Sequence, residues 1–152
     1  MPATVAVTGA SGFIGSRLTA RLAGQGYRVR ALHHRSPLPA EVADSAAEVV
    51  RGRLEDADTA RELCAGVDAV VHCAALVQAR RAADFRRVNA GGVERLAQAA
   101  AAAESRPRIL LVSSLAARQP ELSPYAASTH AGERALSRAG GSRWTVLRPP
   151  AV

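Results

Sequence analysis

Three glycines, Gly9, Gly12 and Gly15, stand at equal spacing in VAVTGASGFIGSRL, between a short apolar run and an amphipathic segment. Glycines so placed at a strand-to-helix turn suit the binding of a diphosphate. Gly9 permits the tight turn, Gly12 lets a pyrophosphate approach the backbone, and Gly15 allows the helix to pack closely on the strand. The helix N-terminus then offers free N–H groups and a partial positive charge. The spacing is G-x-x-G-x-x-G rather than G-x-G-x-x-G. A second reactive candidate is Tyr125, which opens YAASTHAGE after Ser123 and Pro124, where proline is tolerated in the first turn of a helix. A phenol held on a helix exchanges a proton with a substrate oxygen. One turn later, on the same face, where such a phenol wants a cation, the residue is Thr129. A phenol at its reference pKa of about 10 is about 0.1% ionised at pH 7. Without a tuning charge, a phenolic base therefore loses on the order of 10³ in rate. The chain contains no lysine, since all 20 of its basic residues are arginine. His130 adjoins Thr129 but is turned ~100° around the helix, so it is expected to face elsewhere.

The dinucleotide is read from the end of the second strand. An acidic residue there accepts ribose hydroxyls and favours NAD, whereas an arginine accommodates a 2′-phosphate. The segment reads RALHHRS, with no carboxylate. A guanidinium makes paired hydrogen bonds to a phosphate, so NADP is expected, with NAD as the alternative. Arg35 is the leading candidate, with Arg30 and His34 behind it; the bland alternative is a solvent-facing basic loop.

These residues need elements to hold them. Short apolar strands are expected at Thr4–Thr8, Tyr27–Leu32, Ala47–Arg51, Asp68–Cys73, Arg108–Ser113 and Arg143–Arg148. Helical segments are expected at Gly12–Ala23, after Pro39, from an Asp56 cap to about Ala65, along Asp84–Glu104 and from Ser123-Pro124 to Gly140-Gly141. Strict alternation of this kind implies parallel pairing and right-handed crossovers. The expected fold is an α/β doubly wound parallel sheet of order 3-2-1-4-5-6, with helices on both faces. Residues 1–152 are read as one dinucleotide-binding domain, with no length left for a substrate domain.

Composition narrows the classes. Hydrophobic residues make up 48% of the 152, which argues against a disordered chain. No apolar run approaches the ~20 residues of a membrane span, and no signal peptide is legible. Cys64 and Cys73 form no metal or disulfide pattern, so no metal is expected and a reducing, cytoplasmic setting is. The formal charge of +7 is spread along the chain, and aromatics are few, so nucleic acid is not expected as a partner. His72, inside the fourth strand, is read as a core histidine.

The glycine loop, VVHCAA, VNAGG, VSS and SPYAAS, in this order across essentially the whole chain, make it resemble the extended short-chain dehydrogenase/reductases, the NAD-dependent epimerase/dehydratase family with its Rossmann fold. The resemblance implies that Gly9, Gly12, Phe13, Ile14 and Gly15 frame the cofactor diphosphate. It implies that Cys73, Ala74 and Ala75 line the cofactor and that Asn89 lies beside the site. Ser114 matches the catalytic Ser/Thr and Tyr125 the catalytic tyrosine; Arg148, Pro149 and Pro150 match the turn beside the nicotinamide. Three departures stand out. Thr129 occupies the position of the family lysine, which holds the nicotinamide ribose and tunes the tyrosine. Arg53 replaces the aspartate that contacts adenine, and members of the family run on for roughly another domain. Relatives also often dimerise through the helices after strands four and five, so a homodimer is an implied partner state. The function expected is hydride transfer at the carbonyl or hydroxyl of an unidentified small molecule, possible candidates including a sugar nucleotide. The alternative is a non-catalytic dinucleotide-binding module, a cofactor sensor or assembly subunit.

Overall fold

A computed structural model describes residues 1–141 and 143–150. Six strands form one sheet: β1 (Thr4–Thr8), β2 (Arg28–His33), β3 (Glu48–Arg51), β4 (Ala69–His72), β5 (Arg108–Val112) and β6 (Trp144–Leu147). Their order is β3-β2-β1-β4-β5-β6 and every pairing is parallel, as the alternation of elements requires. Side chains alternate across the sheet. Val5, Val7, Val29 and Ala31 face one layer, made by α1 (Phe13–Gly24) and α2 (Ala40–Ser45). Ala6, Leu32, Val70, Ile109 and Leu111 face the larger core. That core is closed by α3 (Ala57–Cys64), α5 (Gly91–Ala102) and α6 (Pro124–Arg138), through Leu63, Leu96 and Leu136. Burial of each such leucine contributes about 1.5–3 kcal/mol. No helix among the described residues is long and apolar enough to cross a membrane.

Several boundaries differ from the sequence reading for physical reasons. Asp56 occupies the N-cap of α3, but its side chain makes no capping hydrogen bond. Two short 3₁₀ turns, Leu115–Arg118 and Pro120–Leu122, fill the link between β5 and α6. The long helix expected at Asp84–Glu104 is interrupted. A short α4 (Ala82–Phe85) runs into a π-turn at Arg86–Ala90, closed by the Gly91 N–H donating to the Arg86 carbonyl, before α5 begins. The widened turn rotates Asn89 inward while Val93 and Leu96 keep their places in the core. Nothing in a helical hydrophobic period announces such a turn.

The π-turn is held by α6. A Cβ placed on Gly132 would lie 2.6 Å from the Asn89 carbonyl oxygen and 3.4 Å from Val93 Cγ2. The two backbones can approach this closely only with glycine at that position. Gly132→Ala is therefore expected to lower stability by about 1–3 kcal/mol, read as a reduced urea midpoint with unchanged slope. An unchanged midpoint would mean that the π-turn yields freely.

Candidate functional site

Gly9 adopts φ +67°, and a Cβ there would fall 2.7 Å from Ala74 N, so the β1–α1 turn lies directly on the chain leaving β4. At Gly15 a Cβ would come within 2.1 Å of the Gly9 carbonyl, which forces α1 to start against the turn. Gly12 caps α1 with no side-chain hydrogen bond and no acidic residue in the first turn. The unpaired N–H groups at that helix start therefore face the cleft through which the turn is exposed, an arrangement fit for a diphosphate.

Two hollows meet at this turn. One, of about 800 Å³, is lined by Gly12, Phe13, Ile14, Gly15, Ser114, Tyr125, Pro149 and Pro150, together with Val77 and Leu115. The other, of about 460 Å³, is lined by Ser11, His34, Arg35, Ser36, Arg53, Glu55, Ala74 and Arg87. Gly9, Gly12, Cys73 and Ala75 belong to both, so the hollows form one elongated cleft across the C-terminal ends of the strands. This is where an open parallel sheet binds ligands. The glycine turn sits where the two hollows meet.

Thr8 knits the floor. Its hydroxyl oxygen accepts from Cys73 N and Ala74 N, both at 3.2 Å. Its proton is then free for His72 Nδ1, 2.7 Å away. His72 is the core histidine expected: it is 2% exposed, and burial pushes its pKa down to about 4. Burial also raises the Cys73 thiol to about 11, so Cys73 lines the cleft as a neutral wall.

At the wide end, Ser114 caps the first 3₁₀ turn, its Oγ accepting from Ala116 N at 3.2 Å. Tyr125 stands at the start of α6, whose N-cap Ser123 accepts from Ala126 N at 3.0 Å. The Tyr125 ring meets Phe85 edge-on at 6.3 Å. The surrounding frame is tied by Glu133 on α6. Its carboxylate accepts from Ser113 Oγ at 2.5 Å and from Arg148 Nε at 2.9 Å. Burial alone would raise the Glu133 carboxyl, but hydrogen bonds from Arg148 and Ser113 outweigh it and hold it below its ordinary value. The Pro149 carbonyl accepts from Leu115 N at 2.9 Å, fixing the proline turn beside Ser114.

Two residues expected in the site do not line the cleft. The Asn89 amide donates to Leu76 O at 2.9 Å and Ser128 Oγ at 3.0 Å, and its Oδ1 accepts from Leu76 N at 2.7 Å. Asn89 thus holds the loop after β4 rather than a cofactor. Thr129 is 8% exposed, and its hydroxyl donates back to the Tyr125 and Ala126 carbonyls at 3.1 and 3.0 Å. It borders a separate cavity of about 20 Å³ with Asn89, His72 and Ser113, and its hydroxyl proton is not available to a ribose. His130 faces away, its Nδ1 3.1 Å from the Ala117 carbonyl.

At the narrow end, Arg30, expected behind Arg35 as a phosphate ligand, does not line the pocket. Its guanidinium pairs with Glu48 at 2.7 Å and donates to the Glu62, Leu63 and Ala65 carbonyls at the end of α3. Arg35 lines the pocket and makes no hydrogen bond or ion pair among the described residues. Partial burial, then the charges of Arg35 and Arg53, hold the His34 pKa below its ordinary value, so His34 is neutral at pH 7. The residues missed from sequence are Ser11, Ser36, Glu55 and Arg87. Arg87 reaches the pocket from within the π-turn. No cluster of side chains fit for a metal occurs among the described residues.

The chain is 45% identical over 148 residues to a ceramide reductase of Caulobacter vibrioides, covering 97% of this chain and 46% of that protein. It is 39% identical over 95 residues to a 4-hydroxy-2-methyl-3-oxo-4-farnesyl-3,4-dihydroquinoline-1-oxide ketoreductase of Stigmatella aurantiaca, covering 62% of this chain and 28% of that one. A crystal structure of a short-chain dehydrogenase/reductase superfamily protein of Agrobacterium tumefaciens, with bound NAD, superposes with a TM-score of 0.80 at 27% identity. That match covers 95% of this chain and 48% of the other. The chain thus spans about half the length, or less, of these relatives. With its six parallel strands, its glycine turn and a family model matching residues 5–152, the chain belongs to the NAD dependent epimerase/dehydratase family.

Proposed function

We propose that this chain is the cofactor-binding and proton-exchanging part of a carbonyl reductase that prefers NADP and acts on an apolar ketone. The observation that carries the reading is the single cleft that joins Ser114 and Tyr125 to the glycine turn and to a basic pocket beyond it. In this reading Gly9, Gly12 and the first N–H groups of α1 hold the diphosphate. Hydride exchange with the substrate carbon is the chemistry that a bound nicotinamide supplies. Ser114 hydrogen-bonds the carbonyl oxygen and orients it. The Tyr125 hydroxyl gives that oxygen its proton and recovers one from solvent, which the half-buried ring can reach.

The substrate class follows from the lining of the wide end. No side chain lining it is charged, and Phe13, Val77 and Leu115 are well exposed along it. An anionic sugar nucleotide finds no cation in this part of the cleft, whereas a hydrocarbon-bearing ketone finds matching walls. The names of the two similar proteins, a ceramide reductase and a ketoreductase, support both the reaction and the apolar substrate. The preference for NADP rests on Arg35, just after β2, where the chain carries no acidic residue, and on Arg53, just after β3 in the same pocket.

Two measurements test this function. In calorimetric titrations, NADP is expected to bind more tightly than NAD, and Arg35→Ala to weaken NADP about tenfold or more with little effect on NAD. Tighter NAD binding, indifferent to Arg35→Ala, would sink the phosphate assignment. In assays of the reverse reaction, oxidation of a long-chain secondary alcohol with Tyr125 as the base, Thr129→Lys is expected to raise kcat/KM at pH 7 by up to about 10³ and to shift the pH profile, with a smaller gain in ketone reduction, where Tyr125 is the acid. No gain in a folded variant that still binds cofactor would show that the missing charge is not what limits the site. Cofactor binding with no turnover in either protein would favour a non-catalytic binding module.

A further inference from the structure

The pocket beyond the glycine turn holds a carboxylate as well as its arginines. Glu55, in the loop between β3 and α3, directs Oε1 at two guanidinium groups from different parts of the chain. Arg87 Nη1, from the π-turn, lies 2.7 Å away, and Arg53 Nη2 lies 3.4 Å away; Arg87 Nη2 also lies 3.4 Å from Asp84 Oδ1, outside the pocket lining, so Glu55 is its nearer and inner partner. The Glu55 side chain is 26% exposed, against 41% and 49% for the two arginines, so the carboxylate is the inner member of the cluster. Arg35 enters the same pocket without such a partner.

This geometry has a specific consequence for an incoming phosphate. A guanidinium satisfied by a carboxylate is already neutralised, and a phosphate monoester must compete with that carboxylate for it. The phosphate has the stronger claim, with up to two negative charges and three acceptor oxygens. Glu55 nevertheless stays nearby as a like charge once the arginines have turned. It therefore reduces the gain that the two arginines give to a phosphorylated ribose, while leaving an unphosphorylated ribose unaffected.

Resting on the NADP reading above, we propose that Glu55 is a specificity-determining residue, which holds Arg53 and Arg87 across the adenosine pocket as an internal competitor of a 2′-phosphate. Arg35 supplies the constant part of phosphate recognition, and the pair released from Glu55 supplies the part that Glu55 moderates. The opposite role is also chemically defined, because a carboxylate in this pocket could itself accept the hydroxyls of an unphosphorylated ribose. The two roles predict opposite responses.

The test is calorimetric titration of the protein with NADP, NAD and adenosine 2′,5′-bisphosphate, the last probing the adenosine end alone. Glu55→Gln is expected to tighten NADP and the bisphosphate about fivefold and to leave NAD within about twofold. Asp56→Asn, which removes a neighbouring charge that touches neither arginine, is expected to leave the ratio of NADP to NAD affinity within about twofold. Arg87→Ala is expected to weaken the bisphosphate, and to weaken it more in the Glu55→Gln background than in the natural protein. A Glu55→Gln variant that binds NAD more weakly and NADP no better would overturn the proposal in favour of a ribose-binding carboxylate. A variant indistinguishable from the natural protein with all three ligands, or an equal gain from Asp56→Asn, would overturn it as well. If Arg35→Ala weakens NADP while Glu55→Gln changes nothing, only the role of Glu55 fails. If Arg35→Ala also leaves NADP unaffected, the NADP reading itself fails.

Discussion

The contact on which the rest of the site depends is the approach of two backbones with no side chain between them. The turn after β1 touches the chain leaving β4, and a Cβ on Gly9 would overlap Ala74 N and Cys73 C, at 2.7 and 2.8 Å. The start of α1 touches the same turn through Gly15. Together these contacts set the depth of the cleft and aim the helix N-terminus into it. Thr8 completes the arrangement from below, because one hydroxyl accepts two N–H groups of the β4 exit and donates to His72. The buried polar groups of that floor are thereby satisfied without a charge, as a low-dielectric interior requires.

A second close approach governs the opposite wall. Gly132 lets α6 rest on the Asn89 carbonyl, within the π-turn at Arg86–Ala90. The same turn performs two tasks at its two faces. Inward, Asn89 clasps the Leu76 backbone and Ser128, holding the loop that edges the cleft. Outward, Arg87 reaches Glu55 across the arginine-lined pocket. A local backbone irregularity thus connects the helix that bears Tyr125 with the pocket farthest from it.

The parts of this arrangement that were legible in the sequence were those set by local rules. The six strands follow from apolar runs, and their order from the alternation with helices. The glycine turn follows from its spacing between a strand and a helix. What was not legible depended on tertiary direction. Arg30 and Arg35 lie close in sequence, but Arg30 is within β2 and its side chain runs to the end of α3, while Arg35 follows the strand and meets the cleft. Thr129 shares a helix face with Tyr125, yet a short side chain on that face ends inside the wall, bonded to its own helix. The inward amide of Asn89 and the reach of Arg87 both required a helical irregularity that leaves no trace in hydrophobic periodicity.

The cleft that results is electrostatically divided. One end collects Arg35, Arg53 and Arg87, with Glu55 bridging the last two and Asp84 also on Arg87, while the end that carries Ser114 and Tyr125 is walled by uncharged side chains among the described residues. Charge near a reacting carbonyl is felt most where water is excluded, so removing lysine from this wall changes the chemistry more than removing one from an exposed loop would. Thr129 replaces a mobile cation with a hydroxyl whose proton is committed to the α6 backbone. The polar groups left for the reacting oxygen are then neutral ones, the Ser114 hydroxyl and the Tyr125 phenol. In the proposed reading, such a wall suits a neutral, weakly polar substrate, because an anion leaving water meets no compensating charge there among the described residues. Among the described residues, positive charge in the cleft gathers where Arg35, Arg53 and Arg87 stand, and the lining around Ser114 and Tyr125 carries none.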